Sequence, residues 1–209
     1  MKKFTIFKNE FLQKCDIKGF YHTDYVGYEN LGNPDYLNDL KNTFNNFSKQ
    51  KLENAVDMLY NVLKKDLEKF DRNLTICIVP RAKAEKTYSK KQLLFKKVVQ
   101  YVIKEFGFKD GSDYIIRHTD TKTTHLAHTN YAGDGDLPYP GITKATCFIS
   151  KEVKGKNILL IDDIYTHGVN IDEDVIQALF DNGANNVIFY AVAKTKINND
   201  FLDYNNPPI

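Results

Sequence analysis

The sequence predicts an α/β protein whose parallel sheet carries helices on both faces. Short apolar runs at 74–79, 145–149, 158–161 and 187–193 have the length expected of buried strands. Several of the segments before and between these runs carry apolar residues at helical spacing. Strands that alternate with helices are typical of a parallel sheet covered on both sides.

The part of the chain before the first of these strands is predicted to be helical. One helix is expected over 33–47, because Asn33 can cap it and Pro34 suits its first turn. A second helix is expected over 52–70, where one apolar stripe lies opposite a face of lysines and acids. These two helices are interpreted as packing elements.

The remaining elements follow from changes in periodicity. An apolar stripe predicts a helix over 92–106 that ends before Gly107, and 114–116 is predicted to be a short strand. The last helix is expected over 171–182 and ends at Gly183. No internal repeat or low-complexity linker divides the chain.

The segment 118–144 lacks apolar periodicity and is rich in Thr, His, Gly, Asp and Pro. It is too long for an idle connection in a small domain, so a lid or a disordered loop is expected. His118, His125 and His128 raise the question of a metal site, but their spacing matches no zinc pattern.

Composition limits the class of protein. The 209 residues include 29 Lys and Arg against 27 Asp and Glu, and the net charge of +2 gives no strong field for nucleic acid, although it leaves a local basic patch open. The three cysteines form no CxxC pair and are expected to be reduced. No export signal and no apolar run near the ~20 residues of a membrane span is visible, so a cytoplasmic protein without a membrane partner is expected.

The most specific feature is the segment 158–171, which reads ILLIDDIYTHGVNI. It combines an apolar strand, two adjacent acids, a turn with Thr166 and Gly168, and the start of a helix. Ligands of parallel sheets gather where strands end and helices begin, and the free amides of a helix N-terminus suit a phosphate. The turn is therefore predicted to bind phosphate.

Asp162 and Asp163 follow the buried strand directly. Neighbouring carboxylates repel one another, and an apolar environment raises the cost of ionising both. A polyol that donates hydrogen bonds, a bound cation, or both would offset that cost, and Mg²⁺ fits because it prefers oxygen ligands and retains water.

The segment resembles the signature of the type I phosphoribosyltransferases, and RHTDTKTTHL at 117–126 resembles the amidotransferase-like and competence-associated members. The resemblance implies a Rossmann-like parallel sheet with a variable hood at 1–72, a core at 73–194 and a tail at 195–209. It implies binding of 5-phosphoribosyl-1-pyrophosphate with Mg²⁺, in which Asp162 and Asp163 hold the ribose hydroxyls and the metal. The 5′-phosphate would be bound by Tyr165, Thr166, His167, Gly168, Val169 and Asn170.

The same resemblance assigns the pyrophosphate end of the donor. The turn after strand 74–79, which is Arg81, Ala82 and Lys83, would line the pyrophosphate, and an ordinary basic loop is the alternative interpretation. The segment 118–144 would be the lid. Candidates there for contacting pyrophosphate or donating a proton to it are Arg117, Lys122 and His125, and the candidate catalytic residues are Asp162, Asp163, Lys122 and His125.

Some positions depart from the family pattern. Tyr165 replaces a common aliphatic residue, while His167 and Asn170 replace small hydroxyl residues, although both can still donate hydrogen bonds to phosphate. Thr166 stands where relatives acting on 6-oxopurines have Asp. Orotate, uracil, other bases and ammonia therefore remain open as the acceptor, and a homodimer is the default expectation for self-association.

Functions other than transfer of a phosphoribosyl group are also open to this sequence. The same fold can serve as a ligand sensor without catalysis. A phospho-acceptor receiver domain would place its acidic pair near the start of the sheet, whereas here the pair lies close to the last strand. A Rossmann dinucleotide site is not supported because no GxGxxG follows a strand, and aspartates that only cap the next helix would explain one acid but not the pair.

Overall fold

The computed structural model describes residues 1–43, 46–121, 141–142 and 145–196. The strands are β1 (Lys2–Ile6), β2 (Ile17–Tyr25), β3 (Thr75–Ile78), β4 (Lys109–Asp110), β5 (Ile115–Arg117), β6 (Cys147–Ile149), β7 (Asn157–Tyr165) and β8 (Asn186–Thr195). The α-helices are α1 (Tyr36–Lys41), α2 (Lys49–Leu67), α3 (Leu94–Phe106) and α4 (Ile171–Asp181). The predicted α/β class is thus confirmed.

The central sheet contains six strands in the order β1-β2-β8-β7-β3-β4. Only β1 runs antiparallel to its neighbour, and the other five strands are parallel. Parallel neighbours need a crossover, which α3 supplies between β3 and β4 and α4 supplies between β7 and β8. A second, antiparallel pair is formed by β5 and β6. The carboxyl ends of β2, β3, β7 and β8 therefore meet at one edge.

The side chains of alternate strand residues pack in two separate hydrophobic cores, one on each face of the sheet. Ile76 and Leu159 pack in one core with α1, α2 and α3, whereas Cys77 and Leu160 pack in the other with α4 and the β5–β6 pair. Successive strand side chains point to opposite faces, so an unbroken apolar run is what a sheet covered on both sides requires. Helices on both faces were predicted, and the structure has them.

Local signals place most helix ends. The hydroxyl of Ser48 caps α2 by accepting a hydrogen bond from the Lys51 amide, and α3 ends at Gly107, whose φ of +72° is easily adopted by glycine. The prediction of one helix over 33–47 was wrong in extent. The helix ends at Lys41 because Asn42 adopts a left-handed φ of +40° and its N–H bonds to the Asp39 carbonyl. Among the residues that the structure describes, no helix combines the length and apolarity needed to cross a membrane.

The N-terminal region contributes two strands that the sequence analysis did not predict. In β2, polar residues interrupt the apolar pattern, and β1 begins with two lysines. Both strands extend the central sheet, and β2 pairs with β8 over residues 19–25 of β2. The sheet therefore begins before the two N-terminal helices.

A buried carboxylate, Asp66 near the end of α2, ties these N-terminal elements to β8. It accepts hydrogen bonds from the Tyr190 hydroxyl at 3.1 Å and from Lys69 at 3.1 Å, and His22 Nδ1 lies 2.9 Å away. Burial alone would raise the pKa of Asp66, but the hydrogen bonds from His22 and Lys69 outweigh it and lower the pKa to about 2.

Candidate functional site

A cavity of about 670 Å³ lies at the carboxyl ends of the parallel strands. Its walls come from the end of β7, the turn after β3, the segment around β5, and the N-terminal helix α1 with its flanks. The lining residues with charged side chains are Lys41, Arg81, Lys83, Glu85, Lys96, Arg117, Asp162, Asp163 and Asp172. The cavity is thus acidic where β7 ends and basic where β3 ends.

The acidic side is built on β7. Asp162 and Asp163 both line the cavity, and the Asp163 amide donates a hydrogen bond of 2.8 Å to Asp162 Oδ1. The strand continues past the pair to Tyr165, because Ile164 and Tyr165 still pair with β8. The strand predicted over 158–161 was therefore too short, and the two acids lie within β7, near its carboxyl end.

A third carboxyl group joins the pair from the next helix. Asp172, in the first turn of α4, lies close enough to Asp162 for the two carboxyls to share a hydrogen bond when one is protonated. Burial and the neighbouring Asp163 carboxylate raise the pKa of Asp162 to about 7. Burial, followed by the Asp162 and Glu173 carboxyls, raises the pKa of Asp172 well above its ordinary value.

Lys41, at the last position of α1, reaches the acids from the opposite wall. Its Nζ lies 3.1 Å from Asp163 Oδ2, and both side chains are about one-fifth exposed, at 22% and 18%. The ion pair connects α1 to β7. Lys41 thus neutralises the charge of Asp163, whereas Asp162 lies beside Asp172.

The stretch after β7 forms a turn rather than a further extension of the strand. The Val169 amide donates to the Thr166 carbonyl at 3.2 Å, and Gly168 and Asn170 adopt positive φ angles of 82° and 63°. Thr166 and Val169 line the cavity, whereas His167 and Gly168 are exposed to solvent. The predicted turn therefore exists, with its backbone bent beside the cavity.

Two residues of the predicted phosphate site use their side chains elsewhere. The Tyr165 ring packs between Phe4 and Phe189, and its hydroxyl donates to Glu173 Oε1 at 2.8 Å. Asn170 donates its side-chain amide to the Gly168 carbonyl and accepts a hydrogen bond from Asn9. Tyr165 is thus a core residue, and Asn170 holds the turn together.

The predicted pyrophosphate turn lines the basic side of the cavity. The Arg81 guanidinium donates to the carbonyls of Lys41 at 3.0 Å and Gln92 at 2.6 Å, and it stacks on Tyr88. The Lys83 Nζ lies 3.9 Å from Asp120 Oδ2. Arg81 therefore joins the end of α1 and the turn before α3 to the turn after β3.

Arg117 supplies a buried positive charge on the same wall. It is 2% exposed, and its guanidinium donates to the carbonyls of Arg81 at 2.8 Å and Gly141 at 3.2 Å. No carboxylate of the described ranges forms an ion pair with it. Burial lowers its pKa below the ordinary value of arginine, and the charge that remains attracts anions to this end of the cavity.

Comparison with protein-family models and with curated proteins returned no match. The chemistry of the site must therefore be inferred from its own residues. One wall offers carboxylates that accept hydrogen bonds or bind a cation, and the other offers a buried guanidinium. A ligand that carries hydroxyls at one end and phosphates at the other is complementary to both.

Three of the predicted or considered site residues cannot be placed. Lys122 and His125, the lid candidates, lie outside the described residues, as does His128.

Within the described ranges, no group of three or more His, Cys, Asp and Glu side chains is arranged to hold a metal ion. A cation at this site would accordingly depend on one or two carboxylates together with water and ligand oxygens.

Sequence reasoning missed two residues of the site, Lys41 and Asp172. Lys41 reaches Asp163 across a separation that no local pattern encodes. Asp172 had a weak signal, because a polar residue on the inner face of an amphipathic helix contradicts the apolar pattern of that face.

Proposed function

We propose that the protein is a phosphoribosyltransferase of the type I fold. It binds 5-phosphoribosyl-1-pyrophosphate with Mg²⁺ and transfers the phosphoribosyl group to a nitrogen nucleophile, releasing pyrophosphate. The observation that carries the proposal is the shared cavity: Asp162 and Asp163 face it from β7, while Arg117 faces it from the neighbouring wall. This combination matches a sugar with phosphates at both ends.

Each half of the donor finds complementary groups. The ribose hydroxyls would donate hydrogen bonds to the Asp162 and Asp163 carboxylates, and hydrogen bonds to charged groups are worth about 1.5–3 kcal/mol each. The pyrophosphate would lie against Arg117 and Lys83, and the positive charge there stabilises it as it departs.

The 5′-phosphate would rest on the turn between Thr166 and Asn170. Three acids occupy the first turn of α4, namely Asp172, Glu173 and Asp174, so the field of that helix end is partly cancelled. The N–H groups of the bent turn, rather than the helix dipole, would then supply the attraction.

In the reaction, the bond from the anomeric carbon to the pyrophosphate oxygen breaks and a bond to the acceptor nitrogen forms, through an oxocarbenium-like state. The bonding electrons leave with pyrophosphate, and the acceptor nitrogen loses a proton. Mg²⁺ would supply charge neutralisation for the leaving group. This chain's own residues orient the sugar through the acidic pair and hold the pyrophosphate through Arg117 and Lys83.

The residues fit a hydrated cation. Asp172 Oδ1 is buried and forms no hydrogen bond within the described part of the chain, and Asp162 lies beside it. Mg²⁺ binds in such places through one or two carboxylates, keeping several waters and using substrate oxygens for the rest.

Calorimetry with the donor and Mg²⁺ tests binding. Wild type should bind, and the double variant Asp162→Asn with Asp163→Asn should bind at least ~100-fold more weakly, since two charged acceptors are lost. The control is Asp57→Asn with Asp181→Asn, which removes the same charge from exposed positions. Unchanged binding in the first variant would remove the basis of the site assignment.

Release of pyrophosphate from the bound donor tests turnover. Orotate, uracil, other bases and ammonia should be offered as acceptors, and one of them should release pyrophosphate at a rate that the double variant does not support. Donor binding without release by any acceptor would instead identify a sensor of the donor.

A further inference from the structure

Charge is unevenly compensated on the acidic side of the cavity. Lys41 pairs with Asp163 at 3.1 Å. Asp162, on β7, and Asp172, in the first turn of α4, both line the same cavity. Two adjacent carboxyls removed from water are stabilised by a retained proton or by a positive partner, and within the described ion pairs neither Asp162 nor Asp172 has a positive partner.

Asp172 itself points to a ligand. Its side chain is 4% exposed, lines the cavity, and leaves Oδ1 without a hydrogen-bond partner among the described residues. An unsatisfied buried acceptor costs about 1–3 kcal/mol, so it is retained only where something compensates for that cost. The other first-turn acids differ in place: Glu173 accepts from Tyr165 through Oε1 and, although its Oε2 is unpaired among the described residues, it does not line the cavity, and Asp174 accepts from the Ile142 amide.

We infer that Asp162 and Asp172 together form a subsite for one divalent cation, Mg²⁺ or Mn²⁺, whose remaining ligands are water and ligand oxygens. Asp172 is the new element, since it lies beyond the segment 158–171. The inference rests on the proposed function for the donor as the source of those oxygens. It assigns Asp163 to the Lys41 ion pair and the ribose, and not to direct binding of the metal.

The coordination chemistry agrees with this division. Two carboxylates on different elements, β7 and the first turn of α4, can approach one ion from two sides, which adjacent residues of a single strand cannot do as readily. A site with only two protein ligands should bind the free ion weakly and gain affinity when donor oxygens complete the shell.

Binding of Mn²⁺ alone provides the test, because the electron paramagnetic resonance signal of free Mn²⁺ falls as the ion binds. Wild type should show one site in the millimolar range or tighter. Asp172→Asn should weaken that site by at least ~10-fold. Asp181→Asn removes the same charge from the exposed end of the same helix and should leave binding unchanged.

Equal Mn²⁺ affinity in wild type and Asp172→Asn would overturn the inference, and so would the absence of Mn²⁺ binding to wild type. Folding of the variant is checked by its thermal unfolding, in which Mn²⁺ should raise the midpoint of wild type but not of Asp172→Asn. Calorimetry with the donor separates the two proposals. If the donor binds wild type but Asp172→Asn leaves the Mn²⁺ affinity unchanged, the cation subsite is refuted and the proposed function stands. If Mn²⁺ binds through Asp172 but the donor does not bind, the proposed function is refuted and the cation subsite stands.

Discussion

Replacement of Asp162 by Asn should stabilise the protein while it weakens donor binding. The pKa of Asp162 is raised from 3.8 to about 7 in the folded protein. Between pH 4 and pH 7 the folded state therefore keeps a proton on Asp162 that the unfolded state has released. Stability is therefore fully present below pH ~4 and falls as the pH rises towards 7. One pKa unit is about 1.4 kcal/mol, which sets an upper limit near 4 kcal/mol.

The side chain remains partly exposed to the cavity, so water reduces this limit to about 2 kcal/mol. For a chain of this length, that corresponds to a midpoint of unfolding roughly 4–8 °C higher for Asp162→Asn at pH 8. At pH 4 the two midpoints should agree, because Asp162 is then protonated in wild type as well. Calorimetric scans at both pH values decide the matter. A variant less stable than wild type at pH 8, or a gain of equal size at both pH values, would refute the reasoning.

Three other substitutions probe the fold and the basic wall. Asp66→Asn should cost about 3–5 kcal/mol at pH 7 by urea unfolding, since it breaks a buried charge network with His22 and Lys69. Because its folded pKa is about 2, the loss should shrink between pH 4 and pH 2, and a constant loss would contradict the assignment. Leu63→Ala should cost about 2–5 kcal/mol without changing donor affinity below its melting point, because Leu63 is fully buried and remote from the lining. Arg117→Met should weaken binding of inorganic pyrophosphate by ~10-fold or more in competition calorimetry, and unchanged affinity would exclude Arg117 from the anion site.

The elements that the sequence predicted are those whose pattern is local. The runs at 74–79 and 187–193 became β3 and β8, because an unbroken apolar run specifies a strand buried on both faces. The β2 strand escaped prediction because polar and charged residues interrupt its apolar pattern, namely Lys18, His22, Thr23 and Asp24. Its identity as a strand comes from pairing with β8, which lies far away in sequence.

The candidate site shows the same division. Asp162 and Asp163 could be found from the sequence because two adjacent acids between an apolar run and a turn form a local pattern. Lys41 could not be found, because it reaches Asp163 only through space, and Asp172 left only the weak signal of a polar residue on the inner face of α4. Tyr165 was assigned to the ligand by its place in the motif, but strand alternation turns its side chain into the core.

The basic and acidic walls are linked through Arg81, which explains why that residue is present. Arg117 donates to the Arg81 carbonyl, Arg81 donates to the Lys41 carbonyl, and Lys41 pairs with Asp163. These contacts run without a break from the anion end of the cavity to the acids. The guanidinium of Arg81 is occupied by two carbonyls and by Tyr88, so its contribution is to hold Arg117 and the end of α1 in position. Arg117 and Lys83 line the same wall of the cavity, and a loss of pyrophosphate affinity in Arg81→Met would reflect displacement of both walls rather than loss of one contact.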